Sequence, residues 1–425
     1  MKTALILLIT SCLAPFPAMA QTQTQTNNGI HANTPPTWVS PSFRRVHGVA
    51  NTAYSGKVSA YATDLDKNDS LSFSKVDGPS WLTVATNGEI SGTPTEKDSG
   101  INSFTIRATD LKGNSADATL KIPVLRLASE KVTEVKIMSF NMWQGLGWIN
   151  DGYRKGLNAI ILSDADVIGI QEGKNTVSSG EYILPQLARD LGWHYTPEGY
   201  WGSGIISRYP ITETFKAGIA TGARIKLSNS PTNQLILFNC HLHSAHPGAH
   251  EAQKAGSTVE KVLKEELRSQ RHGEITTILK GMDKHLTQAD KTPVLLVGDF
   301  NAPSHLDWNE ETAPQHGGIG KIAWPVSTAC ANAKLQDSFR IIHSDPKTKP
   351  GNTWSPLYLK DPQDRIDHIY YKGSSLKPLV SQVFHTKIET TLGIWKHDVA
   401  PNIAPALNNT WPSDHAAVIT TFSLN

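Results

Sequence analysis

The chain is poor in cysteine, with three in 425 residues: Cys12, Cys240 and Cys330. That excludes a disulfide-stapled scaffold, which packs several pairs into a short domain. Net charge is also nearly missing. Forty Lys plus Arg stand against 38 Asp plus Glu, for a formal +2, so no global field marks a nucleic-acid or membrane-surface binder. A local basic groove would still fit inside a neutral total. No run beyond the N-terminal leader approaches the roughly 18 apolar residues of a membrane-spanning helix. What is present is an ordinary globular composition, 39% hydrophobic and 18% charged. The length suits two or three domains, each with its own core.

Residues 1–20 read as an export signal. Met1-Lys2 is a short basic start, Ala4 to Thr10 is apolar, and Ala18-Met19-Ala20 is a small-residue cleavage site before Gln21. Ile9-Thr10-Ser11-Cys12 also looks like a lipobox, which would leave Cys12 lipidated and the protein anchored. The short apolar run and the clean Ala-Met-Ala site favour soluble export, to the medium or the periplasm. Cys240 and Cys330 then remain, either as a disulfide or as two small buried hydrophobes. Residues 21–34, opening on a Gln-Thr repeat, form a low-complexity linker with little to bury.

From 35 to 127 short alternating runs are split by Gly, Pro, Asn and Asp turns. Lys57 to Tyr61, Leu71 to Ser74, Ser103 to Arg107 and Ala118 to Ile122 predict a small antiparallel β-sandwich. Gly78-Pro79-Ser80-Trp81-Leu82, Ile90-Ser91-Gly92-Thr93-Pro94 and Ala108-Thr109-Asp110 make this segment resemble the cadherin-like, putative-Ig modules of bacterial surface proteins. Asp64, Asp66 and Asp69 are either hard oxygen ligands for Ca²⁺ or turn formers. The segment carries no catalytic constellation. It reads as a spacer or an adhesion module contacting a cell surface or glycan.

From 134 to 425 strands and helices mix. Val294-Leu295-Leu296-Val297 reads as a buried strand that ends at Gly298 and delivers Asp299 and Asn301 on one side of an extended backbone. A carboxylate and an amide there suit a phosphate or a water. Asn239, His241 and His243 alternate in the same way, continuing the face of Leu235 and Leu237. Asp367 sits among apolar neighbours, where an unpaired carboxylate is costly and an imidazolium is the natural partner. Asn141 and Glu172 also end strands, and Asp414-His415 follows near the C-terminus.

In order, Ser139-Phe140-Asn141, Ile170-Gln171-Glu172, Ile206-Ser207-Arg208-Tyr209-Pro210, Asn239-Cys240-His241-Leu242, Gly298-Asp299-Phe300-Asn301, Arg365-Ile366-Asp367-His368 and Ser413-Asp414-His415 resemble the signature of the DNase-I-like endonuclease/exonuclease/phosphatase superfamily. The resemblance implies an α/β fold, a four-layer α/β/β/α sandwich, with a divalent-metal phosphoesterase site. It implies Glu172 as the principal Mg²⁺ (or Mn²⁺) ligand, with Asn141 and Asp414 close to the metal. Asp299 and Asn301 would orient water and hold phosphate, and His415, paired with Asp367, would activate water or stabilise the transition state. His241 fills the second-histidine role, with His243 the alternative. His243, Trp354 and Arg208 are candidate substrate contacts. Trp143, Trp148, Tyr200, Trp201, Trp354 and Trp411 flank the motifs, and half of them are expected in the core.

The function this implies is an exported, metal-dependent phosphodiesterase using direct attack by water. A secreted nuclease acting on nucleic acid is the alternative. A surface binding protein that has lost catalysis is the alternative of another class, and the complete motif set speaks against it. Substrate identity and oligomeric state are not legible in the sequence.

Overall fold

Strand-forming runs in the computed structural model gather into two six-stranded sheets that face each other. The structure describes residues 33–66, 69–127, 130–388 and 409–425. The export signal, Cys12 and nearly all of the Gln-Thr linker lie outside the described residues. The first large sheet runs in the order His194–Tyr195, Gly204–Ser207, Val167–Gln171, Glu134–Asn141, Ala417–Leu424, Leu376–Phe384. The second runs Ile211–Ala217, Ala220–Lys226, Gln234–His241, Val294–Asp299, Asp367–Lys372, Gln336–Asp337.

Period-two alternation explains how each strand serves two cores. Leu295 and Val297 point between the sheets and meet Ile137, Val167, Leu235, Leu237, Ile369 and Val418. Val294 and Leu296 point outward, where Ile275, Ile278 and Met282 of the helix Arg271–Leu286 cover them. On the other side Leu157 and Ile160 of Gly152–Ser163, with Leu184 and Leu187 of Leu184–Leu191, cover Met138, Phe140, Ile168 and Ile170. The result is a helix/sheet/sheet/helix sandwich. Cys240 and Cys330 are both buried free thiols in the second outer core.

Ahead of the strand Val294–Asp299 the chain forms two helices, Val259–Glu266 and Arg271–Leu286, with a break between them. The break has a local cause. Ser269 Oγ accepts from Arg271 N. The Arg271 guanidinium turns back onto Glu266 and the carbonyls of His243, Ala245 and His246. This buried pair fixes the loop that follows His241.

The N-terminal module is sheet-rich and Ig-like. Ser115–Leu125 pairs with Gly100–Thr109, which pairs with Ser72–Asp77, while Tyr54–Lys57, Glu89–Gly92 and Leu82–Val84 form the opposing sheet. The strand expected over 57–61 stops at Lys57. Ser59–Tyr61 is a 3₁₀ turn, which drops Tyr61 into the core against Phe43 with ring centroids 4.5 Å apart. Asp64 and Asp69 approach Asp110, with one ligand atom of each within 4.8 Å of the others. Asp66, expected beside them, instead accepts from the backbone and hydroxyl of Thr34. Asp69 also accepts from the backbone N–H groups of Ser70 and Leu111, and Asp110 from those of Lys112 and Asn114 in its own turn, as turn-forming aspartates do.

Module and sandwich belong to one compact unit, Thr34–Asn425. Arg44 donates to Asp166 at 2.7 Å, and Arg45 donates to the Leu191 carbonyl at 2.7 Å from a buried position. Arg44→Ala is expected to lower stability by about 1–3 kcal/mol, because Asp166 is buried and loses its shorter ion pair. Thermal denaturation should report a lower Tm with unchanged kinetic constants, since Asp166 precedes the strand Val167–Gln171 and Glu172 follows it. An unaltered Tm would mean the junction contributes nothing.

Candidate active site

Register brings the site together. In the second sheet His241 pairs across to Asp299, and Asp299 to Asp367, so three polar side chains stand side by side on neighbouring strands. In the first sheet Asn141 pairs with Gln171, which places Glu172 one residue beyond the strand end. Ser413 Oγ donates to the Asn141 carbonyl at 2.7 Å, which brings Asp414 and His415 to the same edge. Beneath this edge the two sheets are joined by polar groups. Gln171 Nε2 donates to Asn239 Oδ1 at 2.6 Å, and Asn239 Nδ2 donates to the carbonyls of Ile170 and Gly204. Asn239 is thus a buried joint between sheets and not a cleft residue.

Two residues at the edge have left-handed backbones that side-chain-bearing residues seldom adopt, Glu172 at φ +54° and Asn301 at φ +50°. Such strain persists where surrounding contacts over-determine it. Gln144 N donates to Glu172 Oε2 at 2.8 Å, and Asn301 Nδ2 donates to the Leu242 carbonyl at 2.9 Å.

Asp299 is the hub, with its side chain about 1% exposed. Its Oδ1 accepts from Asn301 N at 2.8 Å and its Oδ2 from Asn141 Nδ2 at 3.0 Å. His241 Nε2 lies 3.5 Å and His415 Nε2 3.6 Å from the same Oδ2. His415 Nδ1 is 2.9 Å from Asp367 Oδ2. Burial alone would push the His415 ring toward neutrality, but the carboxylates of Asp367 and Asp299 outweigh it and raise its pKa to about 10. Burial also raises the proton affinity of Asp367, so the pair keeps a proton through neutral pH. Thr353 Oγ1 accepts from Asp367 N, and the Trp354 ring stands edge-on to His415 at 4.8 Å.

Asn141 Nδ2 also reaches Glu172 Oε1 at 3.2 Å, and His241 Nε2 lies 3.9 Å from that oxygen. Glu172, Asp299 and Asp414 therefore line one cavity, of about 970 Å³, in which Lys254 is the only Lys or Arg among the described residues. Lys254 is itself paired with Glu251. Hard oxygen donors gathered without a neighbouring guanidinium or ammonium fit a divalent cation. Glu172, Asn141 and Asp414 would hold it, next to Asp299, Asp367 and His415, whose ligand atoms also lie within 4.8 Å of one another.

Of the remaining candidates, His243 lines the cavity but stands beyond the strand end, and its backbone N donates to Glu274. Trp354 lines the cavity as well. Arg208 does not. It is buried at the opposite sheet edge, bound to Asp164 and stacked on Trp193. The antiparallel pairing of Val167 with Ser207 explains this correction, because it sends Arg208 toward Asp166 and away from Glu172. Among the six flanking aromatics, Trp143, Trp148, Tyr200, Trp201 and Trp354 line the cavity, Trp143 from a buried position, while Trp411 is core away from it. Trp411 still serves the site, donating its Nε1–H to the His415 carbonyl at 2.7 Å.

Sequence reasoning missed most of the far wall, including Glu265, Glu266 and Tyr358. Asp364 is buried in the cavity wall as well, with Oδ1 accepting from Trp308 Nε1 at 2.8 Å and Oδ2 buried without a partner among the described residues. Burial, reinforced by nearby Asp307, raises its pKa to about 7. Folded protein therefore binds this proton more tightly than unfolded chain, so stability falls as pH rises from about 4 to 7. Asp364→Asn keeps the acceptor for Trp308 and removes the charge. It is expected to raise stability at pH 8 by about 2–4 kcal/mol and to leave it unchanged near pH 4, as read by denaturant unfolding at the two pH values. Equal effects at both would remove the titration from the account.

Comparison with known proteins follows the same division of the chain. Residues 138–415 match the model of the Endonuclease/Exonuclease/phosphatase family, and residues 35–125 match that of a Putative Ig domain. The uncharacterized protein F14F9.5 of Caenorhabditis elegans is 27% identical over 304 residues, covering 68% of this chain and 91% of the relative. Similar solved structures include the human Nocturnin catalytic domain with bound sulfate, at 16% identity and TM-score 0.42, covering 70% of this chain and 97% of that one. An AP endonuclease from Archaeoglobus fulgidus is 15% identical with TM-score 0.42, covering 67% and 98%. A family model that spans most of the chain settles the assignment: this protein belongs to the endonuclease/exonuclease/phosphatase family and carries an Ig-like module ahead of its α/β sandwich.

Proposed function

We propose that the protein is an exported, divalent-cation-dependent phosphodiesterase that works by direct attack of water on phosphorus. One observation carries the reading. Asp299 Oδ2 lies within 3.6 Å of two histidine Nε2 atoms, beside a carboxylate-rich wall whose one Lys or Arg among the described residues, Lys254, is paired with Glu251. A bound Mg²⁺ or Mn²⁺ would neutralise phosphate charge and act as Lewis acid.

The protein groups divide the remaining work. Asp299, fixed by Asn141 and Asn301, orients the water and takes its proton as the P–O bond to water forms. The protonated His415 faces the oxygens on which negative charge develops, and Asp367 holds its ring in place. His241 is placed to serve the leaving oxygen as the ester bond breaks, returning a proton to the alcohol. Asn301 keeps one amide N–H on the Leu242 carbonyl and has a second for a phosphate oxygen. No side-chain nucleophile is required. The export reading rests on the leader sequence.

A nuclease would need Lys and Arg along its rim for successive phosphates, and the described residues of the cavity offer one paired lysine. Hydrolysis of bis-p-nitrophenyl phosphate with Mg²⁺, and again with EDTA, tests the proposal. Release should be abolished by EDTA and restored by excess Mg²⁺ or Mn²⁺. Purified protein with no metal-dependent release would end the enzymatic reading.

A further inference from the structure

The cavity does not stop at the catalytic acids. Past His250, Asp361 and Pro362, which line both spaces, it opens into a second depression of about 600 Å³. Four of the other side chains there are amides: Gln253, Gln315, Asn352 and Gln363. Gln363 Nε2 donates to the carbonyls of Tyr358 and Asp361, at 3.0 and 2.9 Å, which fixes that amide in place. Gln253 Nε2 donates to the Gln315 carbonyl at 3.3 Å. The side-chain amides of Gln315 and Asn352 have no protein partner among the described residues. Among the described residues Lys360 is the sole Lys or Arg of the depression, with Asp361 in the same wall.

We propose that this depression is a second subsite, for an uncharged, hydroxyl-rich group such as a sugar or polyol, esterified to the phosphate held in the main cavity. The inference rests on the phosphodiesterase reading and names the kind of diester. Amides both donate and accept, as hydroxyl groups do, so they satisfy either sense of a sugar's hydrogen bonds. A chain of further phosphates would need a row of cations, and the described residues of the two spaces provide Lys360 and a Lys254 already paired with Glu251. An apolar tail would strip water from the Gln315 and Asn352 amides without replacing their hydrogen bonds. Upstream of the depression the wall is aromatic, with Trp143 stacked on Trp148 at 5.8 Å and Trp354 tilted on Tyr358 at 5.6 Å. Apolar sugar faces pack on such rings.

The test uses the mature full-length chain with Mg²⁺ and four p-nitrophenyl phosphodiesters. Bis-p-nitrophenyl phosphate fills the main cavity alone. The others carry a disaccharide, a nucleotide with a further phosphate, or a hexadecyl chain. The disaccharide ester should exceed bis-p-nitrophenyl phosphate in kcat/KM by about tenfold. Gln315→Ala combined with Asn352→Ala should erase that advantage and leave bis-p-nitrophenyl phosphate within about twofold. No advantage for the sugar ester, an advantage that survives the double variant, or a preference for the phosphorylated or hexadecyl probe would each overturn the subsite. Failure of the hydrolase reading looks different: no probe gives metal-dependent release, and the subsite falls with it.

Discussion

His415→Ala is expected to lower kcat on bis-p-nitrophenyl phosphate by about three orders of magnitude or more while the folded structure persists. The ring is held by Asp367 on Nδ1 at 2.9 Å and by the edge-on Trp354, and the backbone beneath it by Trp411 on the His415 carbonyl. Only Nε2 faces Asp299 and the cavity. Positioned proton-transfer groups contribute about 10²–10⁴-fold, and charge stabilisation at the same atom adds to that. The cost to stability is smaller than for a typical broken buried ion pair. Asp367 already has a raised proton affinity from burial, so it can take up a proton once its partner is gone. Steady-state kinetics with circular dichroism and thermal unfolding separate the two effects. A variant with near-wild-type turnover would show that His415 was assigned the wrong role.

Asp299→Asn should be comparably severe, at about 10³-fold in kcat, with Tm within a few degrees of wild type. The substitution is isosteric and keeps an acceptor for Asn301 N. It replaces Oδ2 with an N–H₂ group facing Asn141 Nδ2, His241 Nε2 and His415 Nε2, so one acceptor that served three neighbours becomes a donor. Both the water's proton acceptor and the support for two histidines are lost together. If Asp299 merely braced the floor, kcat would change little and the Tm would fall instead. That split between kcat and Tm decides the question.

Much of the sandwich was legible because buried strands announce themselves. Val294 to Val297 has no helical period, and Leu235, Leu237, Asn239 and His241 alternate, so each strand and its polar end could be located. The convergence of His241, Asp299 and Asp367 followed from motif order but not from pattern, since register between strands far apart in sequence is not a local property. Arg208 misled for a related reason. Its motif neighbours fit, yet an antiparallel strand carried it to the opposite edge. Arg365 also lay in a recognised motif, but its partners Asp307 and Asp337, at 2.8 and 2.7 Å, come from segments with no shared pattern. The cavity walls were the least legible part. Glu265 and Glu266 end an amphipathic helix, where carboxylates usually read as a solvated face. Only tertiary packing turns them toward the site.

The bond between Ser413 and Asn141 closes a loop of 272 positions. His415 is seated by the strand Ala417–Leu424, which pairs antiparallel with Glu134–Asn141. Closures of this span are entropically late steps in folding. The catalytic pair is therefore assembled near the end of folding, after local hairpins and helices have formed. A partly folded or still-emerging chain holds Glu172 and Asp299 but not His415 and has no competent centre. Under the proposed function, that timing confines activity to chains that have completed the sandwich.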